Sequence, residues 1–240
     1  MKKLFLALAI ICYTFITCPV FSEQYGIYSP QTYNKNFSEQ ERVLFILDLS
    51  NSMEEPLEGS TKFDLMMDTM REILPKINPN TWVGLRVYGH RMGFTPMEAC
   101  RASSLVSPIA MNNTNNIEHA LSKTKPRGMT PITYSLKQAI KYDFMGFSGK
   151  KHIILLTDGG ENCDESPCKF VMNLVKIRRD VSIDVIAFNI KDSEDLEQLE
   201  CTALVTSGKF YNAQTSAELI NSFNNSLDGV KNVEAKIIMP

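Results

Sequence analysis

Charge imbalance, histidine and recognisable nucleotide or nucleophile loops are all scarce in this 240-residue chain. Its net charge is only -2. So slight a bias gives no electrostatic footing for a nucleic acid or an anionic membrane surface. The three histidines, His90, His119 and His152, lie away from the cysteines, and the C-x4-C of Cys163 and Cys168 has no second pair at matching spacing. A zinc site is therefore poorly supported. No G-x-S-x-G elbow is present to expose a nucleophilic serine. No G-x-G-x-x-G follows the first apolar strand, so a dinucleotide has no phosphate loop. Internal repeats and low-complexity tracts are absent too.

Apolar residues make up 44 % of the chain, enough for one sizeable core and one domain with short appendages. Lys2 and Lys3 precede an apolar run from Leu4 to about Ile16, too short for a bilayer span. With Val20-Phe21-Ser22 after it, the pattern predicts a secretory signal peptide over residues 1–22, of bacterial style. A lipid anchor at Cys18 is disfavoured, because Phe15-Ile16-Thr17 supplies no small residue just before it. Once the leader is removed, Cys100, Cys163, Cys168 and Cys201 remain. An even number in an exported chain predicts disulfides. Of the three pairings, Cys163–Cys168 closes the shortest loop, which leaves Cys100–Cys201.

Residues 23–41 are polar and aperiodic, and predict an N-terminal arm of little structure. Val43–Leu47 is an uninterrupted apolar run that ends in Asp48, with Ser50 and Ser52 beyond it. That is the pattern of a central parallel strand covered on both faces. Further strands are predicted at Thr81–Tyr88, Ser104–Ile109, Lys151–Thr157, Val181–Phe188 and Lys209–Asn212. Helices are predicted at Thr61–Leu74, Asn115–Lys123, Ile132–Tyr142, Ser166–Arg179, Ser193–Val205 and Thr215–Leu227. The methionine stripe Met66, Met67 and Met70 reads as core packing. Thr130 is expected to cap the helix after it, with Pro131 in the first turn.

The alternation predicts an α/β fold, doubly wound, with a mostly parallel central sheet and helices on both faces. Ser104–Ile109 follows its predecessor without clear helix signals, so it is expected as the one antiparallel edge strand. Residues 42–228 would form the domain and 229–240 a C-terminal tail, either a strand of its own or the start of something further.

Open α/β sheets bind ligands at the carboxyl ends of their strands. Asp48, Ser50 and Ser52 follow one strand, Asp158 ends another, and Thr130 precedes a helix on the same rim. Carboxylate and hydroxyl oxygens suit a hard divalent cation. D-L-S-N-S, G-M-T-P-I and T-D-G, in this order, resemble the von Willebrand factor type A domain and its metal-ion-dependent adhesion site (MIDAS). The resemblance spans about Arg42 to Leu227. It implies that Ser50, Ser52 and Thr130 bind a metal directly, and that Asp48 and Asp158 do so directly or through water. Mg2+ is the implied ion, with Mn2+ or Ca2+ as alternatives, and a protein partner's Asp or Glu would fill an open position. Tyr-Gly-His-Arg at 88–91 and the cysteines resemble a bacterial extracellular branch of the family.

His90 and Glu161 are secondary candidates for the ligand rim; a packed histidine and a solvated acidic loop, shared with Asp164, are the plainer readings. The expected function is thus cation-dependent protein binding outside the cytoplasm, in the periplasm, at the cell surface or secreted. A subunit of a cell-envelope assembly or transport complex is the alternative. A metal-dependent hydrolase ranks lower, because Glu161 is the only acid placed to serve as a base.

Overall fold

The computed structural model describes residues 41–163 and 165–234. The expected leader, most of the arm, Asp164 and the last six residues lie outside the described residues.

The sheet has six strands: β1 (Arg42–Asp48), β4 (Trp82–Tyr88), β5 (Ser103–Ala110), β6 (Lys151–Thr157), β7 (Val181–Phe188) and β8 (Phe210–Ala213). Their order is β5-β4-β1-β6-β7-β8. All neighbours run parallel except β5, which pairs antiparallel with β4, as its missing crossover helix predicts. A two-stranded hairpin, β2 (Pro56–Leu57) with β3 (Ser60–Thr61), follows β1; the apolar pattern gave no sign of it.

The helices are α1 (Lys62–Ile73), α2 (Pro96–Ala99), α3 (Thr114–Leu121), α4 (Ile132–Gln138), α5 (Pro167–Leu174), α6 (Ser193–Val205) and α7 (Ser216–Glu234). Short-range chemistry explains several starts. Thr61 accepts from the Asp64 amide to begin α1, and Asp192 accepts from the Glu194 and Asp195 amides to begin α6. Ser166 followed by Pro167 does the same for α5. Beyond Gln138 the chain continues as a π-helical segment, Ala139–Asp143. Its last residue, Asp143, meets Arg86 of β4 through two hydrogen bonds of 2.6 and 2.7 Å.

Every residue of β1 is buried, because both faces of the sheet are covered. Val43, Phe45 and Leu47 face α1, α3 and α7, where Met66, Met70, Ile73, Ile117, Leu121 and Phe223 pack. Leu44 and Ile46 face α4, α5 and α6, against Leu136, Val171 and Leu199. Each such side chain is worth about 1.5–3 kcal/mol in transfer terms. Met66, Met67 and Met70 are all buried, as a packing stripe should be.

β1 has β4 on one side and β6 on the other, although the chain visits β4 first and β6 much later. The chain reverses direction across the sheet there, and a crevice opens at the carboxyl ends of β1 and β6. Asp48 ends the first of these strands and Asp158 immediately follows the second.

Candidate metal centre

Three chain segments meet in this crevice. Gly89, just past β4, has φ +69°, and a Cβ there would lie 2.6 Å from the Ser50 nitrogen. Only glycine permits so close a passage beside the loop after β1. The Arg127 amide donates to both the Leu49 and Gly89 carbonyls, at 3.1 and 3.0 Å, and the Asn51 amide donates to Gly128 O at 3.0 Å. These bonds set the Thr130 loop against the Ser50–Ser52 loop.

Asp48 is fully buried. Its Oδ1 accepts from the Ser50 amide at 2.7 Å, and its Oδ2 accepts from the Tyr88 and Thr157 hydroxyls at 3.0 and 2.9 Å. Ser50 and Ser52 hydroxyls lie 3.0 Å apart, and the Ser52 hydroxyl donates to Asp158 Oδ1 at 2.7 Å. Ser52, Thr130 and Asp158 line one open cavity together with Glu161 and Asn162. Burial, and then the neighbouring Asp158 carboxylate, push the Asp48 carboxyl up to about 7, against the opposing effect of its Ser50 and Thr157 hydrogen bonds. Two acids thus share a site that holds little positive charge.

Lys62, the first residue of α1, supplies that charge. Its ammonium lies 2.9 Å from Asp158 Oδ2 and 2.7 Å from Glu55 Oε2, and its side chain is 5 % exposed. Burial alone would lower the ammonium pKa; the bonds to Glu55 and Asp158 more than offset this and hold it above its usual value. Sequence reasoning missed this residue. Its spacing from Met66, Thr69 and Ile73, all buried, places a lysine on the inward face of α1, where an unpaired lysine is rare.

Thr130 does not cap α4, contrary to expectation. Pro131 occupies the cap position without a side-chain bond, and Glu161 from the loop after β6 accepts instead from the Thr133 amide at 2.7 Å. Its other oxygen accepts from the Cys163 amide at 3.0 Å. Glu161 is therefore an anchored loop residue, not a solvated acid. Burial nevertheless raises its carboxyl pKa, although the Thr133 and Cys163 bonds oppose this. Asn162 beside it accepts from the Thr130 amide at 2.7 Å, another contact between distant loops that sequence spacing could not signal.

The cysteines form two disulfides, but the expected pairing is wrong. Cys100 joins Cys163, and Cys168 joins Cys201. Loop-closure entropy favours neighbours, but the folded loop separates these two. Cys163 faces the segment after β4, whereas Cys168 has entered α5, which packs on the Cys201 helix α6. His90 Nε2 lies 3.1 Å from the Ser104 hydroxyl on β5, so it is a rim histidine tied to the sheet edge. His152 pairs with Asp184 Oδ2 at 3.2 Å, away from the crevice.

The donor set fits a hard divalent cation: two carboxylates and three hydroxyls, all oxygen. Among the described residues, no group of three or more His, Cys, Asp and Glu side chains could hold a metal without hydroxyl ligands.

Known proteins support the fold. Over 185 residues the chain is 28 % identical to the uncharacterized protein YwmC of Bacillus subtilis, which covers 75 % of this chain and 80 % of that one. The pilus adhesin SpaC of Lactobacillus rhamnosus GG superposes with a TM-score of 0.63 at 15 % identity, over 81 % of this chain and 31 % of its own. Proximal thread matrix protein 1 of the mussel byssus, solved with zinc in its MIDAS motif, gives 0.59 at 21 % identity over 82 % and 46 %. No helix among the described residues is long and apolar enough to cross a membrane. The family model of the von Willebrand factor type A domain matches residues 43–225, and the chain belongs to that family.

Proposed function

We propose that this chain is an exported protein-binding module in which a divalent cation on the sheet rim accepts a carboxylate from a protein partner. Ser50, Ser52 and Thr130 would bind the ion through hydroxyls, and Asp48 and Asp158 directly or through water. When bound, the ion neutralises the paired carboxylates and offers an electrophilic position to an incoming acid; Mg2+ is the first choice, with Mn2+ or Ca2+ as alternatives. The domain would extend over residues 42–228.

The observation that carries this reading is the hydroxyl chain Ser50–Ser52–Asp158 beside buried Asp48. Those serines have their hydroxyls committed within the acidic crevice, while His90 bonds Ser104. Among the described residues, neither Ser50 nor Ser52 bonds a histidine that could activate it for nucleophilic attack, which favours binding over hydrolysis. Similarity to a pilus adhesin and to a byssal matrix protein favours the same class. Two disulfides suit an oxidising compartment, in keeping with the expected leader.

Titrating Mg2+ into the mature protein by calorimetry, with wild type beside Asp48→Ala, tests the ion. Wild type should bind one equivalent and the variant none. Capture of an envelope or extracellular protein in Mg2+, lost with chelator and with Asp48→Ala, is the matching outcome for the partner. One equivalent bound equally by both proteins would end this reading.

A further inference from the structure

Resting on the cation-dependent reading of this rim, we infer that the partner is an acidic protein segment with more than one carboxylate and a bulky apolar side chain, lying from the metal centre across residues 90–102. Three exposed arginines, Arg91, Arg101 and Arg127, stand on the loops that carry or adjoin the crevice segments. The Arg91 carbonyl is 2.7 Å from where a Cβ on Gly128 would stand, and Arg127 is hydrogen-bonded through its amide to Leu49 and Gly89. Arg101 adjoins Cys100, whose disulfide to Cys163 ties this segment to the Glu161–Asn162 loop beneath Thr130.

The charges of this patch are unevenly engaged. Glu98 accepts from the Phe94 and Thr95 amides, Glu161 from the Thr133 and Cys163 amides, and Glu165 from the Lys137 ammonium. Among the described residues, no carboxylate lies within ion-pair distance of Arg91, Arg101 or Arg127. Arg91 Nη2 donates to the Arg101 carbonyl at 3.5 Å, and Arg101 shares a cavity with the engaged Glu161 and Glu165. With one carboxylate on a cation in the crevice, the guanidiniums, none of them ion-paired among the described residues, can receive others. Apolar surface lies in the same segment: Met92 is 76 % exposed, Met97 65 %, and Phe94 fully so. Exposed large side chains grouped beside a ligand site mark a recognition surface. Methionine and phenylalanine adapt to a bulky apolar partner group. The apolar component selects a protein over a nucleic acid, whose phosphates would use only the arginines. The Cys100–Cys163 bond holds the surface in place before binding, which lowers the ordering cost.

Panning a displayed library of random 12-residue peptides in Mg2+ tests this, using the disulfide-bonded wild type, Asp48→Ala, and the triple variant Arg91→Ser, Arg101→Ser, Arg127→Ser. Wild type should enrich Mg2+-dependent peptides with two or more acids near a bulky apolar residue. The triple variant should still bind in a Mg2+-dependent way but enrich peptides with one acid. A synthetic copy of the best wild-type peptide should bind the triple variant about tenfold more weakly. Met97→Ser should weaken the apolar preference and leave the preference for paired acids in place. If the triple variant enriches the same motif as wild type, or if wild type enriches no acidic pairs, the surface is not used as inferred. Enrichment by wild type and Asp48→Ala alike, with or without Mg2+, would sink the cation reading itself. Tighter binding of a dT20 oligonucleotide than of any peptide, lost in the triple variant alone, would reassign the arginines to phosphate.

Discussion

The Lys62 ammonium sits 2.9 Å from Asp158 Oδ2, while Asp158 Oδ1 accepts from the Ser52 hydroxyl at 2.7 Å. One carboxylate thus faces a built-in cation on one side and the hydroxyl cluster of the candidate metal centre on the other. The lysine fixes the carboxylate's orientation and offsets one of the two acidic charges buried there.

Lys62→Met should therefore act in opposite directions on stability and ion affinity. Without metal, removing the ammonium leaves the Asp158 side chain, which is 0 % exposed, without its cation. The cost should be about 3 kcal/mol, at the lower end for a broken buried pair, because Glu55 is exposed and contributes little. In Mg2+ the added negative charge should tighten ion binding. The melting temperature in chelator falls, and the upward shift on adding Mg2+ exceeds that of wild type. Weaker Mg2+ binding in the variant would refute the counter-ion role.

Peptide mapping without reduction should recover Cys100 joined to Cys163, and Cys168 joined to Cys201. A peptide linking Cys163 to Cys168 would contradict the fold of that loop. Replacing Cys100 and Cys163 by serine opens a link across a sequence separation of 63. On the chain-entropy account this costs about 4 kcal/mol, read as a lower denaturant midpoint.

The parts of this molecule that were legible in sequence depend on neighbours along the chain. β1 announces itself through a continuous apolar run, and Asp48, Ser50 and Ser52 follow it within five residues. Thr157-Asp158-Gly159 does the same after β6. The antiparallel edge strand followed from a missing crossover helix. Hidden features depend on where separate loops land. Glu161 caps α4 from 28 residues away, and Cys163 and Cys168 part because one stays in the loop and the other joins a helix. The inward lysine of α1 was readable from its spacing, but its partner Asp158, 96 residues on, was not.

Arg86 and Asp143 offer a stability test far from the metal question. Two hydrogen bonds join them, a third runs from Arg86 to the Ser103 hydroxyl at 2.9 Å, and both side chains are nearly inaccessible. Asp143→Ala strands a buried guanidinium and should cost about 3–5 kcal/mol in urea unfolding. The double variant Arg86→Met, Asp143→Ala should regain much of that loss, because no charge is then left unpaired. If the double variant is as unstable as the sum of the two single ones, the pair carries no coupling.

His90 should be neutral at pH 7, with an imidazole pKa lowered to about 4 by burial first and then by Arg91 and Arg86. Its folded value therefore lies below the unfolded value of about 6.5. Between these limits the unfolded chain binds a proton that the folded one does not, so stability rises with pH through that window and falls on acidification from about 6.5 to 4. The ring is only half-buried, so solvent reduces the effect below what the full shift would give. Nitrogen-15 NMR of the labelled imidazole should place its titration well below 6.5. Urea unfolding at pH 7 and pH 5 should show a smaller acid loss in His90→Asn than in wild type, since an asparagine amide can donate to or accept from the Ser104 hydroxyl but takes up no proton. Equal losses in the two proteins would mean that the imidazole is protonated in the folded state as readily as in the unfolded chain.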